Sequence, residues 1–163
     1  MPNLPAILVT KTSNGDARRM TYESLADGGF ASGTMMGSGG FIAFDEDQCI
    51  VRNTWNFTRF YRHESCGQCS PCREGTGWME KVLHNIEHGQ GSMEDIDLLW
   101  DIQRKIEGNT ICPLGDAAAW PVAAAIRHFR DEFEWHITHP QEAQSRNYGL
   151  AHYADPLGVV TES

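Results

Sequence analysis

The sequence predicts an α+β chain: a strand-bearing segment over residues 1–52, a four-helix bundle over 53–137, and an irregular tail over 138–163. Three observations carry this expectation. The hydrophobic period becomes helical near residue 52, apolar stripes then recur between glycine stops, and a close cysteine triplet lies far from a fourth cysteine in the loop between the last two helices.

Ile7-Leu8-Val9-Thr10 and Phe41-Ile42-Ala43-Phe44 read as short strands, with a turn signal at Asn14-Gly15. Between them, the glycine-rich stretch Gly28 to Gly40 lacks the order of a phosphate-cradling loop. After Gly37 and Gly39 the third glycine position is Ile42, and no Lys follows. A turned loop is the expectation. Trp55, Thr58 or Arg59, and Arg62 mark a short first helix. A second should begin just past Cys72 and run to about His88, because Met79, Val82, Leu83 and Ile86 share one face; Gly89-Gln90-Gly91 stops it. Ser92 with Asp95 begins a third, whose stripe is Met93, Ile96, Leu99 and Ile106. A fourth should run from about Pro121, suited to a first turn, to His136 through Val122, Ile126, Phe129, Phe133 and Ile137.

Cys66, Cys69 and Cys72 stand in Glu64-Ser65-Cys66-Gly67-Gln68-Cys69-Ser70-Pro71-Cys72-Arg73, and Cys112 in Ile111-Cys112-Pro113-Leu114-Gly115-Asp116. A triplet plus one distant thiolate suits the four iron corners of a [4Fe-4S] cubane. Structural zinc usually takes two paired knuckles, and no second knuckle exists here. A disulfide framework fits less well, since the five cysteines are odd in number and the first residues do not form a secretory signal. Spacing thus favours iron–sulfur over zinc and over disulfides. An antiparallel bundle would return the chain to one end, so that both cysteine segments meet. Gly67, Gln68, Ser70 and Arg73 are expected around the cluster, supplying close backbone approach and positive potential, with Gly75 and Gly77 nearby. Cys49, beside Ile50-Val51, reads as a buried inert thiol.

The net charge of −9 and scattered basic residues argue against nucleic acid. No apolar run is long enough to span a membrane, so a soluble chain in a cytosol-like, reducing compartment is expected. One rival motif remains. His84-Asn85-Ile86-Glu87-His88 matches the H-x-x-E-H pattern of zinc peptidases, against the plainer reading of surface histidines near a helix end. Trp78, Trp120 and Trp135 read as core or interface aromatics.

E-S-C-G-Q-C-S-P-C-R-E-G-T-G-W, I-E-G-N-T-I-C-P-L-G-D-A-A-A-W-P and H-F-R-D-E-F-E, within Met20 to Ile137, resemble the carboxyl-terminal part of the F-type flavoprotein (the NADH-binding, 51 kDa-type subunit) of NADH:quinone oxidoreductase, respiratory complex I. The resemblance implies that Cys66, Cys69, Cys72 and Cys112 bind a [4Fe-4S] cluster receiving single electrons from reduced FMN for transfer toward quinone. It implies that residues 22–51 belong to a soluble-ligand-binding β-grasp domain, here partial. It also implies peripheral-arm partner subunits and a peripheral place on the cytoplasmic side of the inner membrane, without direct membrane insertion. The family's FMN- and NADH-binding domain has no counterpart in this sequence, so a fragment, a split gene or a truncated chain is expected, unable to oxidise NADH alone. Two alternatives stand beside this reading: the diaphorase subunit of an NAD-linked hydrogenase or formate dehydrogenase, and a structural iron–sulfur or zinc-stabilised interaction module.

Overall fold

The computed structural model describes residues 5–7, 40–42 and 48–145. Two three-residue strands, β1 (Pro5–Ile7) and β2 (Gly40–Ile42), pair in parallel with Ala6 opposite Phe41. Both begin earlier than the apolar runs suggested. Parallel pairing requires a crossover, so no tight turn joins them directly. The turn at Asn14-Gly15 and most of the expected β-grasp segment lie outside the described residues.

Helix α1 (Ile50–Glu64) is longer than its sequence pattern indicates. Its buried residues are Val51, Asn53, Thr54, Thr58 and Tyr61, two of the five threonine. The hydroxyls are satisfied by donating back along the helix, Thr54 to the Ile50 carbonyl at 2.7 Å and Thr58 to the Thr54 carbonyl at 2.8 Å. Helix α2 (Ser70–Glu87) starts before Cys72 and not after it. Cys69 is its N-cap and Pro71 sits in the first turn, where a missing N–H costs nothing. Met79, Leu83 and Ile86 are fully buried, and Val82 partly so.

Helix α3 (Met93–Ile106) opens on the expected capping box, the Ser92 N–H donating to Asp95 Oδ2 at 2.7 Å. Its core residues are Ile96, Leu99, Ile102 and Ile106, whereas Met93 is exposed. Helix α4 (Leu114–Thr138) begins well before Pro121, which therefore lies inside the helix. The missing proline N–H withholds the usual donor from the Ala117 carbonyl, yet the alanine-rich approach keeps the helix running. Backbone angles at Phe129 (φ −135°, ψ 28°) kink it further on. A short helix, α5 (Pro140–Ser145), occupies part of the segment expected to be an irregular tail.

Around the bundle, α1 packs on α2 and α4, and α3 packs on the same two helices. Leu83, Ile86, Leu99, Val122 and Phe133 are fully buried at the shared core, each worth about 1.5–3 kcal/mol by removal from water. A Cβ on Gly75 would stand 2.6 Å from Ile106 Cγ1, so the glycine lets α2 and α3 close together. Helix packing, in place of the expected approach to a cluster, is the contact the structure gives it. A Cβ on Gly77 would lie 3.7 Å from Arg62 Nε, an ordinary contact with α1. With successive helices antiparallel, the end of α1, the start of α2, the end of α3 and the start of α4 share one end of the bundle. No helix among the described residues is long and apolar enough to cross a membrane.

Candidate metal centre

At that end Cys66, Cys69, Cys72 and Cys112 line one pocket of about 110 Å³, together with Ser65, Gln68, Thr110 and Leu114. All four are free thiols: Cys66 and Cys112 exposed, Cys69 half-buried, Cys72 buried. The triplet is delivered by the turn between α1 and α2, and Cys112 by the loop between α3 and α4. Sequence separation is thereby converted into proximity.

The loops are fixed from their ends. Gly67 adopts φ +79°, a left-handed conformation that favours glycine, and turns the chain between the first two cysteines. Arg73 Nη1 donates to the Gly67 carbonyl at 2.6 Å, and its Nη2 reaches Ser70 Oγ at 3.5 Å, while Glu74 accepts from its Nε at 2.8 Å. Arg73 and Ser70 therefore brace the turn, and Gln68 borders the pocket. On the other side the Gly108 N–H donates to Asp116 Oδ1 at 2.7 Å, Trp120 Nε1 donates to Glu107 Oε1 at 2.8 Å, and the Thr110 hydroxyl donates to the Cys112 carbonyl at 3.0 Å. A Cβ on Gly115 would come within 2.4 Å of Thr110 Oγ1, so only glycine permits this close approach.

Two contacts to sulfur are not apparent from the sequence alone. Ser65 Oγ lies 3.2 Å from Cys72 Sγ, and the Ile111 N–H points at Cys69 Sγ at 3.5 Å. Both residues are chain neighbours of cysteines in the motif, which is the one signal the sequence offers. Burial pushes the Cys72 thiol up, the Ser65 hydrogen bond pulls it down, and the charges of Cys112, Cys66 and Cys69 push it up again. Four clustered thiolates are thus mutually repulsive and call for a cation among them. Partial positive charge already converges there: the N-termini of α2, at Cys69, and of α4, just past Cys112, both abut the pocket. Only the first was expected. Four sulfur donors with O–H and N–H groups directed at two of them fit an iron–sulfur cluster.

The peptidase-like motif does not assemble. His84 and His88 stack with centroids 4.0 Å apart against Trp55, whereas Glu87 turns inward to Arg52 and His136. Trp78 is 63% exposed and Trp120 40%, so neither is a core residue. Cys49 is buried as expected, and burial pushes its thiol up to about 12. It is not isolated, however: its Sγ lies 3.0 Å from His136 Nε2.

Comparison with known proteins adds independent findings. Residues 52–136 match the family profile described as the NADH-ubiquinone oxidoreductase-F iron–sulfur binding region. The chain is 47% identical over 118 residues to one of the NADH-quinone oxidoreductase F-type subunits of Rhizobium meliloti, covering 72% of this chain and 26% of that one. It is 51% identical over 107 residues to the corresponding F-type protein of Mycobacterium bovis, covering 66% and 24%. The chain thus spans about a quarter of the length of these relatives. Among solved structures, an NAD+-reducing [NiFe]-hydrogenase in the H2-reduced state superposes with TM-score 0.59 at 31% identity, over 64% of this chain and 18% of that one.

Proposed function

The chain belongs to the NADH-ubiquinone oxidoreductase-F iron–sulfur binding family, and on that premise we propose that it is the electron-transfer part of the NADH dehydrogenase module of respiratory complex I. The convergence of Cys66, Cys69, Cys72 and Cys112 on one pocket carries the proposal. In this reading they hold a [4Fe-4S] cluster standing between NADH-reduced FMN and the onward path to quinone. Bound there, the cluster supplies one-electron chemistry.

The protein's own residues set the conditions for that chemistry. Cys69 and Cys72, at the start of α2, provide sulfurs on a rigid element, and Cys66 and Cys112 close the set from two loops. Ser65 and the Ile111 N–H offset negative charge on Cys72 and Cys69, and the two helix N-termini favour additional negative charge. Gly67, Ser70 and Arg73 hold the triplet turn in shape, and Gln68 lines the pocket beside it. NADH delivers two electrons as hydride, so a flavin must convert them to single-electron steps. FMN and NADH are assigned to a separate domain, and the partners to the other peripheral-arm subunits, on the cytoplasmic side of the membrane.

A second reading, the equivalent diaphorase subunit of an NAD-linked hydrogenase, draws support from the superposition on the [NiFe]-hydrogenase structure. The higher identity to the quinone oxidoreductase relatives favours the first. The test is anaerobic purification with iron and sulfide analysis, then EPR of the dithionite-reduced protein. Four irons and four sulfides per chain, with a reduced-cubane spectrum, are expected. Zinc in place of iron would overturn the assignment.

A further inference from the structure

Cys49, Glu87 and His136 offer three metal-ligating groups of different chemistry, one atom from each lying within 4.8 Å of the others. They come from three helix ends: Cys49 is the N-cap of α1, Glu87 the last residue of α2, and His136 lies in the last turn of α4. Cys49 and His136 are each 3% exposed. Glu87 Oε2 is also buried and lies 3.8 Å from His136 Nδ1, beyond hydrogen-bond reach. Its other oxygen faces Arg52 Nε, again at 3.8 Å. Glu132, one turn before His136, is close enough to act electrostatically on Cys49.

We infer that Cys49, Glu87 and His136 form a second metal site, for zinc or a similar divalent transition-metal ion, that clamps the end of the bundle remote from the cysteine pocket. Mixed sulfur, imidazole and carboxylate donors suit zinc, which takes three protein ligands readily and completes a tetrahedron with a carboxylate such as Glu132 or a water. The charges favour burial: a thiolate and a carboxylate neutralise the dication, with neutral imidazole as the third donor. The proton now shared between Cys49 Sγ and His136 Nε2 leaves to solvent as the metal enters. Sulfur and nitrogen on one tetrahedral zinc stand roughly 3.6 Å apart, so the 3.0 Å contact opens by about half an ångström on binding. A catalytic Cys–His–Glu relay is disfavoured, since groups this buried are closed to substrate. At 1.5 Å per residue, Glu87 lies roughly 20–25 Å along α2 from Cys72, so the two sites load independently.

The test uses the full chain with its iron–sulfur site loaded, so that the pocket thiolates are occupied. Titration with Co2+ should fill one equivalent, with a sulfur-to-cobalt charge-transfer band and tetrahedral d–d bands, and Zn2+ should displace it mole for mole. Iron content should stay constant, and zinc should raise the melting temperature. Cys49→Ala, His136→Gln and Glu87→Gln should each lose or strongly weaken this equivalent while retaining iron. The three variants are read separately, so a folding failure in one leaves two to decide. Absence of cobalt uptake by the iron-loaded wild type, or equal uptake by the folded variants, overturns the inference.

Discussion

Ser65→Ala removes the hydroxyl that lies 3.2 Å from Cys72 Sγ and leaves the backbone of the triplet otherwise intact. The same oxygen accepts from the Gly67 N–H at 3.3 Å, but that amide sits at a partly open turn where water can replace the contact. If Cys72 is a cluster ligand, the hydroxyl stabilises the reduced, more negative cluster more than the oxidised one. A hydrogen bond to a charged group is worth about 1.5–3 kcal/mol, and a difference of one third to one half between redox states leaves about 0.5–1.5 kcal/mol. At about 59 mV per tenfold change for one electron, the reduction potential should fall by roughly 20–65 mV. An anaerobic redox titration followed by EPR measures this directly, with iron content as the check on cluster integrity. Ser65→Thr keeps the hydroxyl and should shift the potential much less. An unchanged or higher potential in Ser65→Ala with full iron would refute the role given to this contact.

Ala in place of Cys66, Cys69, Cys72 or Cys112 should destroy or degrade the cluster, whereas Cys49→Ala should keep full iron; iron analysis separates these outcomes. Gly115→Ala forces a methyl to within 2.4 Å of Thr110 Oγ1 and should cost about 1–3 kcal/mol, visible as a lower melting temperature and faster iron loss to a chelator. Without added divalent metal, burial raises Glu87 from 4.5 to about 7, with Arg52 opposing. A carboxyl raised on folding stabilises below its unfolded pKa and loses that contribution as pH climbs, so stability should decline from pH 4.5 to about 7 by up to about 3 kcal/mol. Denaturant melts across that range should show a slope that Glu87→Gln abolishes. Finally, this chain should not be reduced by NADH alone but should be reduced once FMN and the flavin-binding domain are added; rapid anaerobic bleaching by NADH with flavin-free protein would contradict it.

That Cys66, Cys69, Cys72 and Cys112 share one pocket was readable from their spacing and the expected helix order, and α3 was readable because its cap and stripe agree. The first turns of α1 were not, since Asn53 and Thr54 fill buried positions that an apolar count overlooks. Nor was the start of α4: a helix-starting rule placed Pro121 in the first turn, whereas the chain tolerates it inside the helix and begins at Leu114. That earlier start matters, because it brings a second helix N-terminus to Cys112. The cluster of Cys49, Glu87 and His136 left no local signature at all. Its members are far apart in sequence, and only the closed bundle unites them.

The division of the cysteines between a local triplet and a single distant residue also sets an order of events during folding. Cys66, Cys69 and Cys72 are neighbours as soon as the first turn of α2 forms, a short loop closure that takes well under a microsecond. Cys112 arrives only after α2 and α3 have folded back on one another, which is slower because a longer loop must close. The triplet is therefore assembled locally, whereas the fourth sulfur joins the pocket only when the bundle closes. On the proposed function, the complete ligand set therefore exists only in the closed bundle, so that cluster retention would report on tertiary structure as well as on the thiols themselves.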